Sequence, residues 1–265
     1  MEDKRELLLN EYSNIFSEEK EYYSRKNLQN IVNINLRSSS FFQDVNLKYL
    51  ELIGPVENKN ILDVCCGSGF LSFYLAKEKA NVIGIDLSKN HINFCKKESK
   101  RLGIEVKFEE MNAQIPDFDN DSFDIITGFR AIHHIPNLKL FFESCYNLLK
   151  PNGFILFLEP LEKNPIVQFN RKFLSPNART HHEHPLKMED LRRAEFIFGN
   201  IEHYEYNLLS PLAYVFRKIV KNTKIYKHSY EFLEYIEKPL LKIDLFKPYC
   251  WQTVFKCVKQ DNNQK

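Results

Sequence analysis

Glycine is scarce in this chain, with 8 in 265 residues, and three other shortages stand beside it. No stretch approaches the roughly 18 apolar residues that a membrane-crossing helix needs, and the opening MEDKRELLLNEYS has no signal-peptide core. Neither sign of charge is in excess: Lys+Arg 37 against Asp+Glu 35 leaves +2. A dedicated nucleic-acid binder would be far more basic. The six cysteines, at 65, 66, 95, 145, 250 and 257, form no CxxC spacing. That argues against a zinc ribbon or a secreted disulfide framework and for a reducing cytoplasm. What is present is a core: 43% of residues are hydrophobic and 27% charged, which excludes disorder. The length suits one large domain or one and a half.

In so glycine-poor a chain each glycine marks a place where a side chain is hard to accommodate. Gly67 and Gly69 share one turn, and that turn sits between two periodic segments. Asn60 to Cys65 is an apolar run of strand length; Phe70, Leu71, Tyr74 and Leu75 then repeat like one helix face. The same rhythm continues. Asn81–Asp86 reads as a second strand, Ser88 as the cap of a helix to about Arg101, and Ile104–Phe108 as a third strand. Phe123–Gly128 reads as a fourth, followed by a helix over about 138–149, a turn at Lys150–Gly153 and a fifth strand at Phe154–Leu158.

Near-continuous apolar strands alternating with helices specify a parallel sheet covered on both faces, with ligands bound beyond the strands' carboxyl ends. The expected fold is α/β: a doubly wound, mostly parallel, seven-stranded Rossmann-like sheet with N-terminal helices and a C-terminal helical cap insert. Its parts divide as an N-terminal helical region at 1–54, the ligand-binding core at 55–160, cap inserts around strand six at 161–248 and a closing strand at 249–260. Within the cap, Ile201–Tyr206 reads as a strand and 208–240 as an aromatic, basic helix. That helix reads as a packed cap with a solvated face; contact with a membrane surface or a lipid substrate is its alternative reading.

The turn's chemistry narrows the ligand. A dinucleotide fingerprint needs a third glycine near 72, where this chain has Ser72. Asp63 stands where it can meet a cationic group, and Asp86 ends the second strand, placed to accept from two ribose hydroxyls. A pocket that wants a ribose, an amine and little pyrophosphate suits S-adenosylmethionine better than NAD.

Ile61-Leu62-Asp63-Val64-Cys65-Cys66-Gly67-Ser68-Gly69 resembles motif I of the class I S-adenosylmethionine-dependent methyltransferases. Ile85-Asp86-Leu87-Ser88 resembles their acidic loop, Met111–Pro116 their adenine loop, and Asp121–Asp124 with Ala131–Ile135 their fourth-strand motif. Leu149–Phe154 matches the turn before their fifth strand. Together these cover about 60–160, and the similarity is greatest to the small-molecule branch, which includes quinone and sterol methyltransferases. The resemblance implies that Asp63 holds the methionine end of the cofactor and that Cys65, Gly67, Ser68 and Gly69 let it approach the backbone. It implies Asp86 on the ribose, Leu87 against the adenine, Asn112 and Ala113 on the adenine edge, and Gly128 beside the methionyl part. Two positions depart from the family: Cys65 replaces a glycine and Asn112 an acid. Cysteine keeps the turn provided its φ is ordinary, and Asn112 keeps one acceptor while adding donors.

The implied activity is methyl transfer to a small molecule, with an oxygen acceptor favoured and a lipid, quinone or glycan as its class. Such an acceptor must lose a proton, for which His134, His182 and His184 are the candidate bases, with Arg130, Arg179 and Glu183 as substrate contacts. The pattern Arg179-Thr180 with Glu183-His184-Pro185-Leu186, around the pair His181-His182, resembles an insert after strand five that would close over the substrate in some bacterial family members. No metal is expected from it, because adjacent histidines on one loop do not readily converge. Asp124 is expected to bond locally, and Cys65-Cys66 to be two small buried residues. A non-catalytic S-adenosylmethionine-binding protein and a protein or RNA methyltransferase remain as alternatives.

Overall fold

A computed structural model describes residues 11–24, 36, 43–174, 182–213 and 223–260. Its centre is one sheet of seven strands: β1 (Asn60–Val64), β2 (Asn81–Asp86), β3 (Lys107–Glu110), β4 (Phe123–Phe129), β5 (Leu149–Pro160), β6 (Glu202–Tyr206) and β7 (Gln252–Val258). Their order is β3-β2-β1-β4-β5-β7-β6. Strands β1 to β5 pair in parallel, and β7 runs antiparallel to both β5 and β6. Chain order reverses direction between β1 and β4, which opens a crevice at the carboxyl edge of those strands.

Helices α1 (Ser13–Ser24) and α2 (Gln43–Ile53) precede the sheet, and α3 (Phe70–Lys77), α4 (Lys89–Leu102) and α5 (Leu138–Leu148) link its parallel strands. The segment expected to form the cap holds α6 (Pro165–Phe169), α7 (Met188–Phe198) and α8 (Thr223–Leu240), of which α7 packs into the core beside the sheet. Strand alternation divides the core into two layers. Leu62, Val64, Ile126, Ile155 and Phe157 face α5 and α7, where Phe141, Phe142 and Leu191 meet them. Ile61, Ile125, Leu156 and Leu158 face the other way, onto Tyr49 of α2 and Leu71 and Leu75 of α3. No helix among the described residues is long and apolar enough to cross a membrane.

Local chemistry sets the ends of these elements. The Ser88 hydroxyl accepts from His91 N–H at the start of α4, as its position foretells. Gly103, at φ +63, ends that helix, and Ile104 N–H then bonds back to Ser99 O. This capping spends Ile104 on the helix terminus, so β3 begins at Lys107 rather than at Ile104. The expected turn at Lys150–Gly153 lies inside the span of β5, as an irregularity where pairing with β4 jumps from Phe123–Leu149 to Ile125–Phe154. Asn152 takes φ +62 there.

Of the expected helix over 208–240, residues 211–213 and α8 are helical and 208–210 are not, while 214–222 fall outside the described residues. Asn164 knots the cap together. Fully buried, it donates to the carbonyls of Asn207, Leu208 and Tyr249 at 2.9–3.2 Å and accepts from Val167 N–H at 3.0 Å.

Candidate active site

The loop from β1 to α3 is held in shape by φ values that side chains resist. Gly67 lies at φ +53 and Gly69 at φ +78, and a Cβ on Gly69 would sit 2.9 Å from the Phe73 ring and 3.0 Å from Cys95 Sγ. Cys65 also lies at φ +51, which corrects the expectation of an ordinary backbone there. The left-handed conformation costs an L-residue about 1–2 kcal/mol, so the family's glycine is replaced here at a strain. Cys66 N–H donates to Ile85 O at 2.9 Å and ties the loop to β2.

Two carboxylates flank this loop. Asp86 accepts from Gly67 N–H at 2.9 Å through one oxygen and from Ser88 N–H at 2.8 Å through the other. Each oxygen keeps a lone pair for a ligand hydroxyl. Asp63 is 1% exposed and accepts from Ser72 Oγ at 2.5 Å. Burial pushes its carboxyl up to about 7, against the pull of the Ser72 bonds. A buried acid so destabilised as an anion is primed to receive a cation.

Both carboxylates line one cavity of about 280 Å3, close to the lower limit of about 300 Å3 usual for small-molecule sites. Cys65, Gly67, Ser68, Leu87, Asn112 and Ala113 line it as well. The Asn112 side-chain oxygen accepts from Gln114 N–H at 2.9 Å, while its Nδ2 is buried with no hydrogen-bond partner among the described residues. That donor fits the ring nitrogen of a purine. Gly69 and Gly128 do not line the cavity. A Cβ on Gly128 would lie 3.0 Å from Val64 O, so this glycine lets β4 pack against the end of β1, beneath the pocket.

Helix α1 roofs the cavity through Phe16, Glu19, Lys20 and Tyr23, none of which the sequence singles out. Lys20 pairs with Glu110 at the end of β3, and Glu18 bonds to His182 at 2.8 Å. Tyr23 OH lies 3.0 Å from His134 Nε2, and Glu19 Oε2 3.2 Å from His134 Nδ1.

His134 therefore stands at the cavity wall under the roof. Beside it, His133 is held by Glu159 at the end of β5, its Nδ1 2.7 Å from Oε2. The other Glu159 oxygen accepts from Ala131 and Ile132 N–H at 2.7 and 3.0 Å. Burial lowers the His133 imidazole below its usual value, with Glu159 pulling the other way. Glu159 was legible in principle: it is an acid ending an apolar strand at the same sheet edge as Asp63 and Asp86.

The remaining expected residues scatter. Arg130, at φ +56, lines the cavity mouth. His182 sits on Glu18 and His184 bonds through its backbone to His133 O at 2.9 Å; neither lines the cavity. Glu183 pairs with Arg171 and comes close to His133 and His134. Arg179 and His181 lie outside the described residues. Asp124 bonds not locally, as expected, but across the fold, to Asn60 N–H at 2.8 Å and Lys150 Nζ at 2.9 Å; all six cysteines are free thiols, and Cys65 and Cys66 are half-buried rather than buried.

Comparison with known proteins gives this geometry a context. A family model described as a methyltransferase domain matches residues 55–227, more than half of the chain. Curated relatives include the ubiquinone biosynthesis O-methyltransferase of Coxiella burnetii, 34% identical over 113 residues, 43% of this chain and 48% of that protein. The enzyme of that name from Ralstonia nicotianae is 32% identical over 114 residues, again 43% and 48%. The matched segment spans about half the length of these relatives.

Among solved structures, Haemonchus contortus phosphoethanolamine N-methyltransferase 2 in complex with S-adenosyl-L-methionine aligns with a TM-score of 0.59 at 21% identity, covering 85% of this chain and 55% of that one. The YcgJ protein of Bacillus subtilis aligns at 0.54 and 16% identity, covering 82% and 98%. At such identities these two speak for the fold alone.

Proposed function

The chain belongs to the methyltransferase domain family, and from that premise we propose that it transfers a methyl group from S-adenosylmethionine to an oxygen of a small molecule. The observation that carries this reading is the pair of carboxylates at one crevice, Asp86 with lone pairs to spare and Asp63 buried without a charged partner among the described residues. When bound, S-adenosylmethionine supplies an electrophilic methyl on a positively charged sulfur.

The chain's own groups do the rest. Asp63 meets the ammonium of the methionyl end, and that cation restores its ionisation. Asp86 accepts from the ribose hydroxyls, and Asn112 Nδ2 donates to the adenine edge. Leu87 and Met111 form an apolar slot for the ring. The roof of α1 excludes water, which favours a reaction in which charge is dispersed.

The proton of a hydroxyl acceptor has to leave, and the Glu19–His134 couple is the titratable pair at the cavity wall that receives it. Of the three candidate histidines, His134 is the one retained, because it alone lines the cavity. Phe16, Tyr23 and Phe129 give the cavity aromatic walls, which suits a ring-bearing acceptor. The curated relatives are named ubiquinone biosynthesis O-methyltransferases, and those names fit an oxygen acceptor of the quinone class.

The test is S-adenosylhomocysteine release across catechols, quinols, sugars and lipids. Turnover with hydroxylated aromatics, lost in His134→Ala with cofactor binding retained, supports the reading. Cofactor binding without release on any acceptor makes the chain a binding protein instead.

A further inference from the structure

We infer that His133, His134 and Glu183 hold a divalent transition-metal ion at the acceptor side of the pocket. The binding stands on these side chains alone; the role assigned to the ion rests on the methyl-transfer reading above. One ligand atom from each of the three lies within 4.8 Å of the others. Donors on a tetrahedral ion with bonds of about 2.1 Å stand about 3.4 Å apart, so small side-chain rotations close the set.

Two features raise this cluster above chance proximity. The first is the Glu159–His133 bond. A carboxylate that engages one imidazole nitrogen fixes the ring and leaves the opposite nitrogen, Nε2, as the ligand, the arrangement found behind metal-bound histidines. Glu159 is 0% exposed and anchored by two backbone N–H groups, so it holds the ring rigidly.

The second is the backbone bond from His184 N–H to His133 O at 2.9 Å. It fastens the cap strap to the turn after β4, and the flanking bonds Leu186 N–H to Pro160 O and Glu162 N–H to Leu186 O extend that seam. Glu183, next to the fastened residue, is thereby carried onto the two imidazoles. The donor set is thus not the histidine row of the strap but one carboxylate of that row, joined to two histidines some fifty residues earlier.

Two nitrogens and one carboxylate select a first-row ion such as Zn2+, Mn2+, Fe2+ or Co2+ over Mg2+ or Ca2+, which prefer oxygen throughout. Three protein ligands leave a position open. His134 belongs to both the cluster and the cavity wall, so the open position serves an acceptor hydroxyl, whose acidity the ion raises; with His134 engaged on the ion, Glu19 is the member of the couple that takes the proton. Coordination costs His134 one of its present contacts, to Tyr23 or to Glu19, and Glu183 shares its charge with Arg171 at 3.4 Å.

Titration of the full chain with Co2+, followed by the visible absorption of the bound ion, tests this. One Co2+ per chain is expected, with affinity falling at least tenfold in Glu183→Gln and in His133→Asn. S-adenosylmethionine binding measured on the same variants reports their folding. No bound Co2+, or binding indifferent to both substitutions, overturns the site. Full methyl transfer by metal-free protein in chelator overturns the ion's role and leaves the methyltransferase reading standing. Co2+ bound by a chain that ignores S-adenosylmethionine does the reverse.

Discussion

Replacing Asp63 by asparagine should make the free protein more stable at pH 8 and a poorer binder of S-adenosylmethionine. Burial lifts this carboxyl from an ordinary 3.8 to about 7. Between those values the folded chain keeps a proton that the unfolded chain has released, so folding is favoured by acid. Each unit of separation is about 1.4 kcal/mol, which gives about 4 kcal/mol in all. That stability is fully present below about pH 4 and is lost as pH rises through about 7.

Asparagine carries no charge to bury, so Asp63→Asn escapes the loss, less whatever its amide forfeits beside Ser72. A net gain of a few kcal/mol at pH 8, vanishing by pH 4, is the expectation from urea unfolding at both pH values. Calorimetric titration of the same variant should show S-adenosylmethionine affinity down at least 100-fold, because the ammonium loses its buried partner. In the natural chain that affinity should weaken about tenfold per pH unit below 7. A variant less stable at both pH values, with cofactor affinity intact, would refute the reasoning.

Cys65→Gly should raise the urea midpoint at constant slope, since relief of φ +51 is worth about 1–2 kcal/mol against about 0.4–1 kcal/mol of added chain entropy. Asn112→Ala should weaken S-adenosylmethionine binding about tenfold by removing the buried Nδ2 donor, with a thermal melt to confirm folding. Asn164→Ala strips the bonds to three carbonyls and the α6 cap, and should cost about 2–4 kcal/mol in urea unfolding; a loss under about 0.5 kcal/mol would show that the cap is held elsewhere.

The parts of this molecule that the sequence discloses are those written within a few residues of one another. Asn81–Asp86 is an apolar run closed by an acid, and it is a strand over those same residues. Ser88 caps because its hydroxyl reaches three residues on, and Gly67 with Gly69 announces a turn whose left-handed φ values side chains resist.

What stayed hidden depends on partners far along the chain. Nothing local in Ser13–Ser24 says that Lys20 will reach Glu110, or Glu18 reach His182, 164 residues away. Nor does the strand pattern near Ile104 reveal that Ser99 will claim its amide. The strain at Cys65 is invisible for a different reason: cysteine names a side chain, while the left-handed φ comes from the loop's closure against β2.

Calorimetric titration of the purified chain with S-adenosylmethionine at pH 8, beside the Asp86→Ala variant, bears most directly on the central claim. One site per chain with micromolar affinity, lost in the variant while its thermal unfolding stays cooperative, is the predicted result. No heat up to millimolar ligand, or equal binding by both proteins, would contradict it.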